Sequence, residues 1–143
     1  MPKKTTGELL ETMKGSREYP EYLKENTGEL ASSFLKIDRA LQSLLAEKGL
    51  RKSEVIARSG LEVHYGYQIF SGVKTPTRDK VLMLCCGMGL TVEETQRLLQ
   101  ISGYPQLYAR NGRDNVILFG LTHGQSIIEL NNLLYEQNLE LLL

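Results

Sequence analysis

Between Gly49 and Pro76 the chain reads GLRKSEVIARSGLEVHYGYQIFSGVKTP. Two short helix-length segments, Lys52 to Ser59 and Val63 to Phe70, are separated only by Gly60, Leu61 and Glu62. Helices this short are not stable alone, so tertiary packing must hold both. Two helices that cross steeply over so short a link need a left-handed residue between them. Gly60 takes that conformation without the Cβ penalty. A short helix, a Gly-centred turn and a second short helix follow the helix-turn-helix order. That order leaves the second helix projecting from the body.

The flanking sequence is helical as well. Phe34, Ile37, Leu41, Leu44, Leu45 and Lys48 keep the spacing of one helix face, and Gly49 stops that helix. Pro76-Thr77 opens a further helix with Thr77 as its N-cap. Its apolar stripe is Val81, Leu84, Cys85 and Met88, and Gly87 and Gly89 are expected to end it. Signals for β-strands are nearly absent, so the expected class is all-α.

Beyond Leu90 the chain repeats itself. Gly89-Leu90-Thr91-Val92-Glu93-Glu94 matches Gly124-Gln125-Ser126-Ile127-Ile128-Glu129 at an offset of 35 residues. The same offset pairs Leu98-Leu99 with Leu133-Leu134, and Leu107 with Leu142. Each copy has a Ser/Thr-x-x-Glu capping box opening a Leu-rich helix, and the two end at Gly103 and Asn138. Such a period suggests stacked helical hairpins, although Leu-rich helices also match one another by chance. Arg113 to His123, capped by Asn111, reads as a separate helix between the copies. Residues 1–32 read as an N-terminal arm in which Gly7 to Lys14 and Tyr19 to Asn26 are short helix candidates.

Gly49-Leu50, Val55, Ser59-Gly60-Leu61, Tyr65, Gln68-Ile69, Ser71-Gly72, Lys74, Pro76 and Val81-Leu82 together resemble the phage-repressor, or XRE, family of helix-turn-helix proteins. The resemblance covers roughly residues 33 to 101. It implies a lambda-repressor-like domain of five helices over 33–103, often dimeric on palindromic duplex DNA; residues 104–143, outside the resemblance, read as a C-terminal helical extension that packs on this domain or mediates dimerisation. It also implies site residues. Lys52 opens the first of the two short helices, where the family clamps a phosphate. Val63, His64 and Gln68 take base-facing positions, with Tyr67 beside them. Lys74 and Thr75 face the DNA backbone. Gln can contact adenine with a donor and an acceptor together, and Val63 suits a thymine methyl.

Three residues depart from the family pattern. Arg51 stands where a Ser or Thr cap is usual, and losing a cap costs about 1 kcal/mol. Ile56 occupies a small-residue position of the first short helix, and Gly66 a bulky position facing it. The last two read as one exchange that keeps volume, so Ile56 is expected to pack over Gly66.

The charge balance does not argue for nucleic acid by itself, since 17 basic and 17 acidic residues cancel. Ala46 to Lys80 holds seven bases against four acids, while Gly120 onward holds three acids and no base. The Leu-rich C-terminal end is thus acidic, which would keep DNA away from it and suits pairing two copies or receiving a signal or protein partner. Cys85 and Cys86 are adjacent, so they read as reduced residues on a core-facing helix. His123 reads as structural or solvated, Tyr65 as junction packing, Tyr67 as surface, and Tyr104 and Tyr108 as packing residues. With two distant histidines, no metal-ligand spacing and no phosphate loop, the chain is expected to carry no cofactor or metal and to catalyse nothing. No stretch reads as a signal peptide or membrane span, so the cytoplasm is the expected location. The competing expectation is an adaptor that uses the same short helix to bind a protein.

Overall fold

The structure, a computed structural model, describes residues 36–143. The N-terminal arm, its two helix candidates and Phe34 lie outside the described residues. Within them are seven α-helices and no strand. The helices are α1 (Ile37–Lys48), α2 (Lys52–Ser59), α3 (Val63–Phe70), α4 (Arg78–Met88), α5 (Val92–Ile101), α6 (Gly112–Thr122) and α7 (Ile127–Glu136).

Left-handed residues set the breaks. Gly49, Gly60 and Gly89 close α1, α2 and α4 with φ of 61°, 75° and 65°. Gly87 does not help to end α4; it lies inside that helix and is buried. Its role is close approach. A Cβ there would collide with Ser59 Oγ and come 2.7 Å from the Val55 carbonyl oxygen of α2. Ser59 folds its own hydroxyl back onto that carbonyl at 2.6 Å, so the α2–α4 contact buries no idle donor.

α2 packs on α4, and α3 packs on α1 and α2. Leu41, Val55, Ile56, Ile69, Phe70, Leu82, Leu84, Leu98 and Leu99 form the centre of the core. At the α2–α3 crossing Ile56 does lie over Gly66. A Cβ on Gly66 would meet Ile56 Cγ2 at 2.6 Å and Cγ1 at 2.9 Å. Arg51 makes no side-chain cap on α2, as its chemistry requires.

The repeat is structural and larger than the matched residues suggest. α6 is not a separate element between copies; it is the first helix of the second copy, standing to α7 as α4 stands to α5. Thr91 with Glu94 and Ser126 with Glu129 form the two capping boxes. Gly103 and Asn138 are both left-handed, at φ 78° and 57°. Gln96 accepts from the Leu107 N–H at 2.7 Å and donates to its carbonyl at 2.9 Å. At the equivalent place, 35 residues on, Asn131 does the same to Leu142, both at 2.8 Å. Each side-chain amide thus straps down a following leucine, and both leucines are buried.

The two hairpins are locked by the same dipeptide used twice. Arg78-Asp79 opens α4 and Arg113-Asp114 opens α6. Arg78 pairs with Asp114 through two hydrogen bonds of 3.1 and 3.0 Å. Arg113 pairs with Asp79 through two of 2.9 Å. Planar two-point pairing of this kind fixes geometry as well as charge. Burial alone would raise the Asp114 carboxyl, but Arg78 and the Tyr108 N–H more than offset it and hold it below its ordinary value. The Asp79 carboxylate in turn holds Arg113 above its ordinary value.

Candidate nucleic-acid interface

α3 has two faces. Gly66, Ile69 and Phe70 are buried and seat the helix. Val63, His64 and Tyr67 are exposed and Gln68 is half-buried. Spacings of three and four residues put these four on one outward stripe. The Gln68 side chain makes no hydrogen bond among the described residues, so its amide is available. Its backbone carbonyl accepts from the N–H of Val73 and of Lys74, at 2.9 and 3.1 Å. That ties the loop carrying exposed Lys74 and Thr75 to the end of α3. Lys52 is half-buried, with its ammonium 5.7 Å above the centre of the Phe70 ring. The structure therefore gathers the expected residues into a helix stripe with Lys52, Lys74 and Thr75 at its C-terminal end.

Two contributors were not foreseen in the sequence. Gln42 of α1 donates to the Phe70 carbonyl at 2.7 Å, fixing the end of α3 to the body. A glutamine on an otherwise exposed stretch carries no signal of that role. Glu62 caps α3 by accepting from the N–H of Tyr65 and of His64, at 2.8 and 3.0 Å. Those two bonds hold its carboxyl below the ordinary value, so it is charged at neutral pH. Glutamate is not among the favoured N-caps, which is why the sequence did not advertise it. Its effect on the site is electrostatic. The head of α3 would otherwise attract an anion; here a carboxylate already occupies it.

Ion pairing also thins the basic segment. Lys48 is engaged with Glu94 at 3.0 Å and Arg78 with Asp114. Arg51, Lys52, Arg58, Lys74 and Lys80 make no ion pair among the described residues. α3 itself contains no Lys or Arg. The stripe instead carries apolar surface, with Val63 at 57% and Tyr67 at 43% exposure, and Val73 beyond it at 68%.

The remaining candidates settle as follows. Tyr65 is half-buried against the core, with the Lys80 ammonium 5.8 Å from its ring centre. Tyr104 is half-buried and donates to the Pro76 carbonyl. Tyr108 is 61% exposed, so its ring is not a packing residue; its N–H serves Asp114 instead. His123 is exposed and stacks on Phe119. Cys85 is fully buried, and burial pushes its thiol up to about 12 and that of Cys86 to about 11. Neither is a thiolate nucleophile at neutral pH.

Among the described residues no group of three His, Cys, Asp or Glu is placed to hold a metal ion. No helix there is long and apolar enough to cross a membrane. A hollow of about 190 Å³ lies between the C-terminal ends of α4 and α6, and one of about 420 Å³ where the end of α2 meets the start of α7; neither is lined by α3. Comparison with known proteins adds no constraint: no protein-family model, no curated protein and no solved structure matches the chain.

Proposed function

We propose that the protein is a double-stranded DNA-binding transcriptional regulator, working in the cytoplasm as a dimer and catalysing no reaction. The observation that carries this reading is the outward stripe of Val63, His64, Tyr67 and Gln68 on a helix seated by its opposite face. In this reading α1 to α5 form a phage-repressor-like domain and α6–α7 its extension. α3 enters the major groove, Gln68 meets adenine, and Val63 meets a thymine methyl. His64 and Tyr67 fill the adjoining surface. Lys52, Lys74 and Thr75 hold the phosphate backbone, which positions the helix without specifying sequence. The Glu62 carboxylate repels phosphate from the head of α3, so backbone contacts concentrate at its other end. Selection from random duplexes tests the reading. An enriched palindrome supports it, and loss of binding in Gln68→Ala and Lys52→Ala proteins of unchanged stability assigns the contacts.

A second reading is favoured by one observation: the stripe exposes apolar surface at Val63 and Tyr67, has no Lys or Arg, and is headed by a charged carboxylate. Those properties suit an adaptor that docks a protein partner on α3. Ionic strength separates the two. Duplex binding weakens steeply with salt through counterion release, whereas docking of Val63 and Tyr67 into an apolar partner does not.

A further inference from the structure

We propose that Glu62, the cap of α3, reads a base: it accepts a hydrogen bond from the amino group of cytosine in the major groove and rejects guanine there. The inference rests on the regulator reading of α3 and adds a determinant to its stripe. Three observations carry it. Glu62 directly precedes Val63, the first residue of the outward stripe, and is itself exposed. The first residues of a helix seated in the groove are those that reach base edges. Its carboxylate is also held in place before any ligand arrives. Oε1 accepts from the His64 N–H at 3.0 Å and Oε2 from the Tyr65 N–H at 2.8 Å. Each oxygen keeps further acceptor capacity beyond those bonds. Finally, no Lys or Arg among the described residues pairs with Glu62, and the two backbone bonds keep it charged at neutral pH.

A fixed, charged acceptor at the head of α3 separates base edges by sign. In the major groove cytosine presents an amino donor and no acceptor. Guanine presents two acceptors, thymine an acceptor and a methyl group, and adenine a donor beside an acceptor. Cytosine is thus the edge that a carboxylate meets with attraction alone, and guanine one that it meets with repulsion alone. Because the backbone bonds hold the carboxylate, it cannot swing away from a wrong base without uncapping α3. An unfavourable contact with the wrong partner contributes to specificity as directly as attraction to the right one. The charge that keeps phosphate from the head of α3 therefore has a favourable partner on the groove floor. Gln68 stands six residues further on, about 9 Å along the helix by its rise. It meets a different base pair, so the two determinants are separable.

Selection from random duplexes with the full chain, followed by competition between duplexes inverted at one base pair, tests the assignment. The wild type is expected to enrich cytosine at one position of each half-site, and inversion of that C·G pair to weaken binding about tenfold. Two variants remove the charge and keep α3 capped. Glu62→Gln retains an acceptor of the same length, and Glu62→Ser supplies a favoured cap. In both, the penalty for guanine is expected to fall below about twofold, with base preference at every other position unchanged, including the one that Gln68→Ala relaxes. A carboxylate that only caps α3 or repels phosphate would not move that readout, because it changes the affinity for all duplexes alike. A selected duplex with the same base preferences for wild type and both variants overturns the assignment and leaves the regulator reading intact. A folded wild type that selects no duplex overturns both.

Discussion

Single residues set the geometry of the candidate site. The Ile56–Gly66 contact is the clearest case, because it was readable in the sequence as a paired departure from a known pattern. Gly66→Ile is expected to cost roughly 1–3 kcal/mol by overpacking, and Ile56→Ala should restore part of that loss in the double variant. Thermal unfolding of the four proteins checks the coupling; additive losses would contradict it. Glu62 shows the opposite situation. Its backbone bonds form only once α3 is placed, and nothing in its residue type announces them. Asp114 carries a pH dependence. Its folded carboxyl lies below the ordinary value of 3.8, so its contribution is complete well above that pH and is lost as pH falls through the folded value. Asp114→Asn should remove that acid-limb contribution and cost about 3 kcal/mol at neutral pH, as expected when Arg78 loses a partly buried partner.

At the scale of elements, α2 to α5 follow from local signals: glycines at the breaks, Thr77 and Thr91 as caps, and apolar spacing for the buried faces. The sequence misled at Gly87, where glycine normally marks an end. It marks a close contact instead, and only the position of α2 reveals it. The repeat was legible in α5 and α7 because capping boxes and leucines are local. Its other half was hidden, since α4 and α6 share few residue types beyond Arg-Asp. The common device is the amide strap. Gln96→Ala and Asn131→Ala should each free a buried leucine N–H and carbonyl, at about 1–3 kcal/mol. Hydrogen exchange should quicken first at Leu107 in one and at Leu142 in the other. Equal exchange at both leucines in either variant would contradict independent straps.

Residues 36–143 combine a helix, α3, that keeps one stripe exposed with a body of paired hairpins. The Arg78–Asp114 and Arg113–Asp79 pairs make the second hairpin a continuation of the first, so α6–α7 bears on α4, the helix on which α2 rests. The charge pattern was legible in sequence only as a small basic excess. Which bases are engaged depends on contacts far apart along the chain, as between Arg78 and Asp114. The most direct test of the central claim is the affinity of the purified protein for its selected duplex, measured as salt is raised. The account predicts specific binding that weakens steeply with salt, with Gln68→Ala relaxing base preference and Lys52→Ala or Lys74→Ala reducing the salt slope by about one phosphate contact each. Absence of duplex affinity even at low salt, in a folded protein, would contradict it.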